Sequence, residues 1–287
     1  MGSDISDLVV TQSNRLVEAS YRMSLIEKQL VLYAVVQGRE DDNFLPKNET
    51  ITVDAKQFAT TFHISEKHVY EMLKEASDRL FDRWIRIEDI HPKTGLPRVV
   101  KTRWVSDVAY VEGAGLVEFT FAKKVLPYIS RLEKEYTSYR LEKIGRMNTA
   151  HAVRLYELLV QYLAARRRKF DLDDLKALLG VADEYSSIKD LKKRVIEPSL
   201  KQINEYTDIE VSYENVKRGR SVTGLLFTIK PKADPKLINE AAQKKAKKPV
   251  IDNDYIEKHA LPGESYDSAK RRLLEEVHQQ LRIGECP

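Results

Sequence analysis

Cysteine is almost missing from this chain: Cys286 is the single one among 287 residues. That excludes an internal disulfide framework and any zinc site built from several cysteines, and it suits a reducing cytoplasm. Long apolar runs are missing too, so no membrane span is expected. The first ten residues carry Asp4 and Asp7 and contain no apolar signal core. No glycine is followed by lysine, which removes a Walker phosphate loop. The six histidines never occur as His-x-His, which removes the metal-binding pair of a rolling-circle nicking enzyme. His63 and His68 stand alone, and Asp171, Asp173 and Asp174 suit a strand-to-helix junction and its cap. Nothing assembles a nucleophile, a base and an orienting group. These absences point to a binding protein that is not an enzyme, with no cofactor and no metal.

Hydrophobic residues make up 42% and charged residues 32%, the balance of a folded globular chain long enough for two cores. The net charge of +4 is a weak indication of nucleic acid, so where the charge lies matters more. The chain repeats itself. Arg22-Met23-Ser24 precedes an apolar helix with Leu32-Tyr33, and Arg146-Met147-Asn148 precedes one with Leu155-Tyr156. Ser24 and Glu27 fit a capping box, as do Ser187 and Asp190. After each helix comes a short strand and a short amphipathic helix, from Ile51 and from Phe170. A further helix is next, over about 65–80 and about 187–206, with apolar residues at helical spacing. Each half closes on a hairpin. The first alternates over 83–90, turns at Pro92-Lys93-Thr94-Gly95 and returns over 99–111. The second alternates over 209–213, turns at Lys217-Arg218-Gly219-Arg220 and returns over 225–229.

Helix, strand, helix, helix, hairpin is the order of a winged helix-turn-helix. The expected fold is α+β: two tandem winged-helix domains related by an internal repeat, over 1–134 and 135–232, plus a C-terminal tail, 233–287. A linker or joining helix is expected within 116–141. In the tail, 244–249 reads as a basic linker and 265–281 as an amphipathic helix.

In this motif the last helix enters the major groove and the wing reaches phosphates. Helix 187–206 carries Lys189, Lys192, Lys193, Arg194 and Lys201, and its wing carries Lys217, Arg218 and Arg220. A basic run alone is usually a solvated face; two basic clusters on adjacent elements of one motif favour DNA. Pro198 should kink or divide the helix after Glu197, and either reading stays open. In the first half, Lys67 and Lys74 mix with glutamates on the second helix, and Lys93, Arg98, Lys101 and Arg103 sit on the hairpin. Weaker, phosphate-directed contacts are expected there. Arg166, Arg167 and Arg168 are read as ending the helix that opens the second half, as dipole partners or as phosphate contacts. Tyr33 and Tyr156 read as core.

The stretches 148–162 (NTAHAVRLYELLVQY) and 191–204 (LKKRVIEPSLKQIN), with the wing Lys217-Arg218-Gly219-Arg220, resemble the RepB/RepE-type plasmid replication initiators. The likeness covers roughly residues 8–231. It implies monomers on direct repeats (iterons) at a plasmid origin, dimers, formed through the first module, on an inverted-repeat operator that represses their own gene, and recruitment of the host initiator and helicase. It also places Lys189, Lys192, Lys193 and Arg194 on the base-reading helix. Lysine stands where some members carry arginine, which removes a bidentate fork for guanine. Two other classes stay open: a tandem winged-helix repressor with no replication role, and a protein-interaction scaffold.

Overall fold

The computed structural model describes residues 8–38, 50–91, 93–111, 113–130 and 135–232, together with Ser268. The expected linker at 244–249 and, Ser268 apart, the expected helix at 265–281 lie outside the described residues. Ser268 apart, the described residues belong to one unit, Met1–Lys232.

Strand β1 (Val9–Ser13) and the short helix α1 (Asn14–Val17) lead to α2 (Leu25–Gln37). The expected capping box closes at the start of α2. Glu27 N–H donates to Ser24 Oγ at 3.2 Å and Ser24 N–H donates to Glu27 Oε2 at 3.1 Å. Strand β2 (Ile51–Asp54), helix α3 (Ala55–Phe62), a 3-10 turn (Glu66–His68) and helix α4 (Val69–Asp82) come next. The stripe Val69, Leu73, Ala76 and Leu80 is buried, as helical spacing requires.

From here the chain departs from expectation. The alternating stretch 83–111 is not one wing. Strand β3 (Trp84–Ile90) pairs only with β4 (Pro97–Arg103) among the named strands. Strand β5 (Val105–Val111) turns back as β6 (Leu116–Phe121), and β6 also pairs with β2. The cause is Trp104. It is fully buried beside buried Val105, which breaks the alternation, and it packs edge-on against Tyr21 at 5.1 Å. Leu116–Phe121, expected in a linker, is therefore the central strand of the first sheet.

Strand β7 (Tyr136–Arg140) pairs antiparallel with β1, so the expected joining helix is a strand. A short helix α5 (Glu142–Gly145) precedes the long α6 (Ala150–Val160). The repeat thus reaches further back than the Arg-Met pairs: strand, short helix, long helix occurs twice, and the two strands pair with each other. The cap of α6 is Thr149, which accepts Ala152 N–H at 3.2 Å, while the preceding Asn148 donates its N–H to Gln202 Oε1 at 2.7 Å. Strand β8 (Arg167–Asp171), helix α7 (Leu172–Leu178), helix α8 (Ile188–Leu191), a π turn (Lys192–Ile196), helix α9 (Glu197–Tyr206) and strands β9 (Ile209–Arg218) and β10 (Ser221–Pro231) complete the unit. Ser187 caps α8 through Lys189 N–H at 3.2 Å.

The first sheet runs β2-β6-β5 and the second β8-β10-β9. The two orders are equivalent, so each half is a winged helix and the hairpin β3–β4 is an insertion in the first. The joint between them is ionic and buried. Glu157 on α6 meets Lys28 Nζ of α2 at 2.9 Å, and accepts from Tyr139 OH at 2.7 Å and Gln12 Nε2 at 2.8 Å. Arg154 lies 3.6 Å away and donates to Ala19 O at 2.6 Å. Burial opposes the Glu157 charge, yet Lys28, Arg154 and the bonds from Lys28 and Tyr139 hold its carboxyl below the usual range. Tyr33 and Tyr156 are 2% and 1% exposed, as core tyrosines should be.

Candidate nucleic-acid interface

In the second module the helical run Ile188–Tyr206 crosses Pro198 without ending. Its buried residues Leu191, Val195, Ser199 and Ile203 recur every four positions. Four residues overshoot one α-turn by about 40° at roughly 100° per residue. A π turn closes i to i+5 and absorbs that drift. Pro198 offers no N–H to the carbonyl four residues back, where a wider turn already stands. The expected break after Glu197 is thus a widened turn before it, over Lys192–Ile196.

Lys189, Lys193, Arg194 and Lys201 are exposed on this run. Lys192 is only half exposed. Its Nζ donates to Asn215 Oδ1 on β9 and lies 5.3 Å from the centroid of Tyr213. At the tip of the β9–β10 wing, Lys217, Arg218 and Arg220 are exposed around Gly219, whose φ of 63° suits glycine. At the wing's base, a Cβ on Gly224 would stand 2.4 Å from Phe170 O. Glycine there lets β10 approach β8 at the bulge between Val222 and Gly224. Among the described residues, none of these seven exposed cations is ion-paired.

The cluster at 166–168 is not a helix end. Arg166 sits in the turn after α6 at φ 61°, and Arg167 and Arg168 begin β8. Arg166 and Arg167 are exposed, but Arg168 points inward. Its guanidinium donates to Leu158 O at 2.6 Å, to Gln161 Oε1 at 2.8 Å and to Glu18 Oε1 at 2.8 Å, and it stacks on Phe170 at 4.3 Å. Arg168 is therefore a structural tie to the first module, not a phosphate contact. The strand's two-residue alternation turns it away from its neighbours.

The first module differs. Lys67 is exposed on the 3-10 turn, and Lys74 stands 5.3 Å from the Tyr110 centroid. The solvent side of α4 also shows Glu71, Glu75 and Asp78. The basic residues expected on its wing lie on the inserted hairpin. Lys93 and Lys101 are exposed there. Arg98 pairs with Asp89 at 2.7 Å, and Arg103 donates to Phe81 O at 2.7 Å while lying over Trp84 at 5.3 Å. Burial opposes the Asp89 charge, but bonds from Tyr128, Arg98 and Ile90 hold its carboxyl below the usual range, and burial with that carboxylate pushes Tyr128 up to about 12. The true wing joins β5 to β6 through the sequence Glu112-Gly113-Ala114-Gly115, which has no cation.

Sequence reasoning missed Tyr213, Asn215 and Lys232. The first two could have been found, because they alternate with Lys217 along one strand. Lys232 donates to Thr207 O at 2.8 Å and to Asn204 O, closing the end of α9.

Residues 9–160 match the initiator replication protein family over its WH1 domain, and residues 171–229 match the WH2 domain of initiator Rep proteins. The chain belongs to the Rep3 family of initiator replication proteins. It is 26% identical over 242 residues to a replication initiation protein of Escherichia coli, covering 82% of this chain and 74% of that one. It is 27% identical over 237 residues to a 27.6 kDa protein of Escherichia coli, covering 79% and 95%. Its fold is similar to that of the Pi initiator protein, solved in complex with iteron DNA, with a TM-score of 0.67 at 18% identity over 80% of this chain and 99% of that one. The Rep3 WH2 domain is the module with the exposed basic helix and wing; WH1 carries the inserted hairpin. Among the described residues no helix is long and apolar enough to cross a membrane.

Proposed function

We propose that this Rep3 protein starts plasmid replication by binding repeated duplex sites at the origin, with WH2 as the principal reader. The observation that carries this is the pair of exposed cation sets on adjacent elements: Lys189, Lys193 and Arg194 on the helix, and Lys217, Arg218 and Arg220 on the wing. The first set suits base edges and the second suits phosphates. The Pi initiator, of the same fold, was solved on iteron DNA, which supports the same substrate class here. The protein works in the bacterial cytoplasm and binds without cutting: Tyr33 and Tyr156 are core residues, and Tyr156 OH is committed to Asp208 at 3.0 Å.

Self-association through WH1, with repression of its own gene, is part of the proposal. Trp84, Ile90, Leu96 and Val99 are 61%, 42%, 64% and 50% exposed on one inserted hairpin, a concentration of apolar surface suited to a second copy. Host initiator and helicase are the further partners that the family reading carries.

The test has three arms. Purified protein should prefer the repeats beside its gene over random duplex, with a footprint of roughly 20 bp per monomer if both modules meet DNA one turn apart. Supplied in trans, it should maintain a plasmid bearing only the origin. Supercoiled origin DNA with magnesium should stay unnicked. Binding without plasmid maintenance would leave a repressor, and no preference for repeats would leave a scaffold.

A further inference from the structure

The basic residues of the WH2 helix are not equivalent. Lys193 and Arg194 are exposed, whereas Lys192, at the start of the π turn, is held by the wing. Its amine donates to Asn215 Oδ1 and lies over the Tyr213 ring at 5.3 Å. One turn further along the helix, Glu197 Oε1 accepts from Tyr213 OH at 3.3 Å. Tyr213 and Asn215 are two apart on β9, so they share one sheet face, and Lys217 continues that face toward the tip. The Tyr213 ring also packs on Phe227 of β10 at 6.0 Å, which ties the seam to both wing strands.

We propose that Lys192, Asn215, Tyr213 and Glu197 form a helix–wing seam that sets the position of the wing tip relative to the reading helix. Lys192 is a positioning residue in this scheme and does not read bases. A two-stranded arm that projects beyond its sheet is free to swing, and a swinging arm makes its phosphate contacts only part of the time. The seam holds it through one charged hydrogen bond, one cation–ring contact and one phenol–carboxylate bond. The proposal rests on WH2 binding duplex DNA, but its test is independent of which sequence is bound.

The experiment is a mutant cycle in full-length protein, titrated on repeat and random duplex at several salt concentrations. Asn215→Ala breaks the seam without changing charge. It should weaken both duplexes by the same factor, roughly three- to tenfold, the size of one ordinary net hydrogen bond. It should also flatten the log–log salt slope by about one unit. Combined with Arg218→Ala and Arg220→Ala it should add nothing, because the tip it positions is already disabled. Asn215→Asp keeps an acceptor for Lys192 and should bind more tightly than Asn215→Ala. Lys192→Arg keeps the donor and the cation over Tyr213 and should behave as wild type.

Full additivity of Asn215→Ala with the tip variants would overturn the seam. So would a lowered ratio of repeat to random affinity, or Asn215→Asp binding more weakly than Asn215→Ala, since both would place Asn215 directly on DNA. Should wild-type protein bind repeats and random duplex alike, the replication reading falls, while the cycle on random duplex still decides the seam.

Discussion

The two winged helices of this chain share strand order, helix order and even the strand and short helix that precede each long helix, yet they present opposite surfaces. In WH2 the last helix and the wing tip offer seven exposed cations, none ion-paired among the described residues. In WH1 the equivalent helix and the 3-10 turn before it mix Lys67 and Lys74 with Glu71, Glu75 and Asp78, and the equivalent wing sequence has Glu112 and no cation. Topology therefore does not make a DNA reader; the charge placed on it does. The repeat supplies two scaffolds, and the exposed cations concentrate on the helix and wing of one. WH1 carries its own distinguishing feature, a hairpin with exposed apolar side chains, where WH2 passes directly from helix to wing.

The largest expected effect concerns what the modules share. Glu157→Ala should cost about 3–5 kcal/mol, because it strands Lys28 and Arg154 inside the joint. Thermal melting should fall in one transition; two separated transitions would show that the modules fold independently. The same residue sets a pH limit. Its folded pKa lies below its unfolded value, so its stabilisation is complete above about pH 4.3 and is lost as pH falls through the folded value. The gap in melting temperature between wild type and Glu157→Gln should therefore close on acidification.

Next in size is the contrast between neighbours on β8. Arg168→Ala should destabilise by roughly 2–3 kcal/mol through lost buried charged hydrogen bonds, with an unchanged salt slope. Arg167→Ala should leave melting within about 0.5 kcal/mol. A flattened slope for Arg168→Ala would return that arginine to the DNA surface.

Arg194→Ala should lower the ratio of repeat to random affinity by about 1–3 kcal/mol, whereas Lys67→Ala on WH1 should leave the ratio unchanged. Equal losses in paired titrations would erase the distinction between the modules. The smallest effects belong to the tips. Arg218→Ala and Arg220→Ala should each flatten the salt slope by about one unit, and Ala114→Arg in the WH1 turn should not steepen it. A steeper slope for Ala114→Arg would show that the WH1 wing also lies against phosphate.

Much of this was legible in residues near one another in the chain. The Ser24–Glu27 box, the apolar stripe of α4 and the turn at Gly219 depend on side chains within a few positions, so they survive in a linear reading. The wing of WH1 did not. Alternation over 83–111 looks continuous, and only the burial of Trp104 against Tyr21 divides it into two hairpins. Arg168 reads as one cation in a run of four until β8 pairs with β10 and turns it toward Glu18.

By itself the sequence determined two winged helices in tandem, the capped start of α2, the core tyrosines and the basic character of the last helix of WH2. These come from local periodicity, capping chemistry and composition. Tertiary structure alone decided which cations face solvent, which are consumed by Asp89, Glu18 or Asn215, and which hairpin is the wing. Those outcomes depend on partners far apart in the chain, and a charge has no assigned role until the fold sets what lies within hydrogen-bonding distance of it.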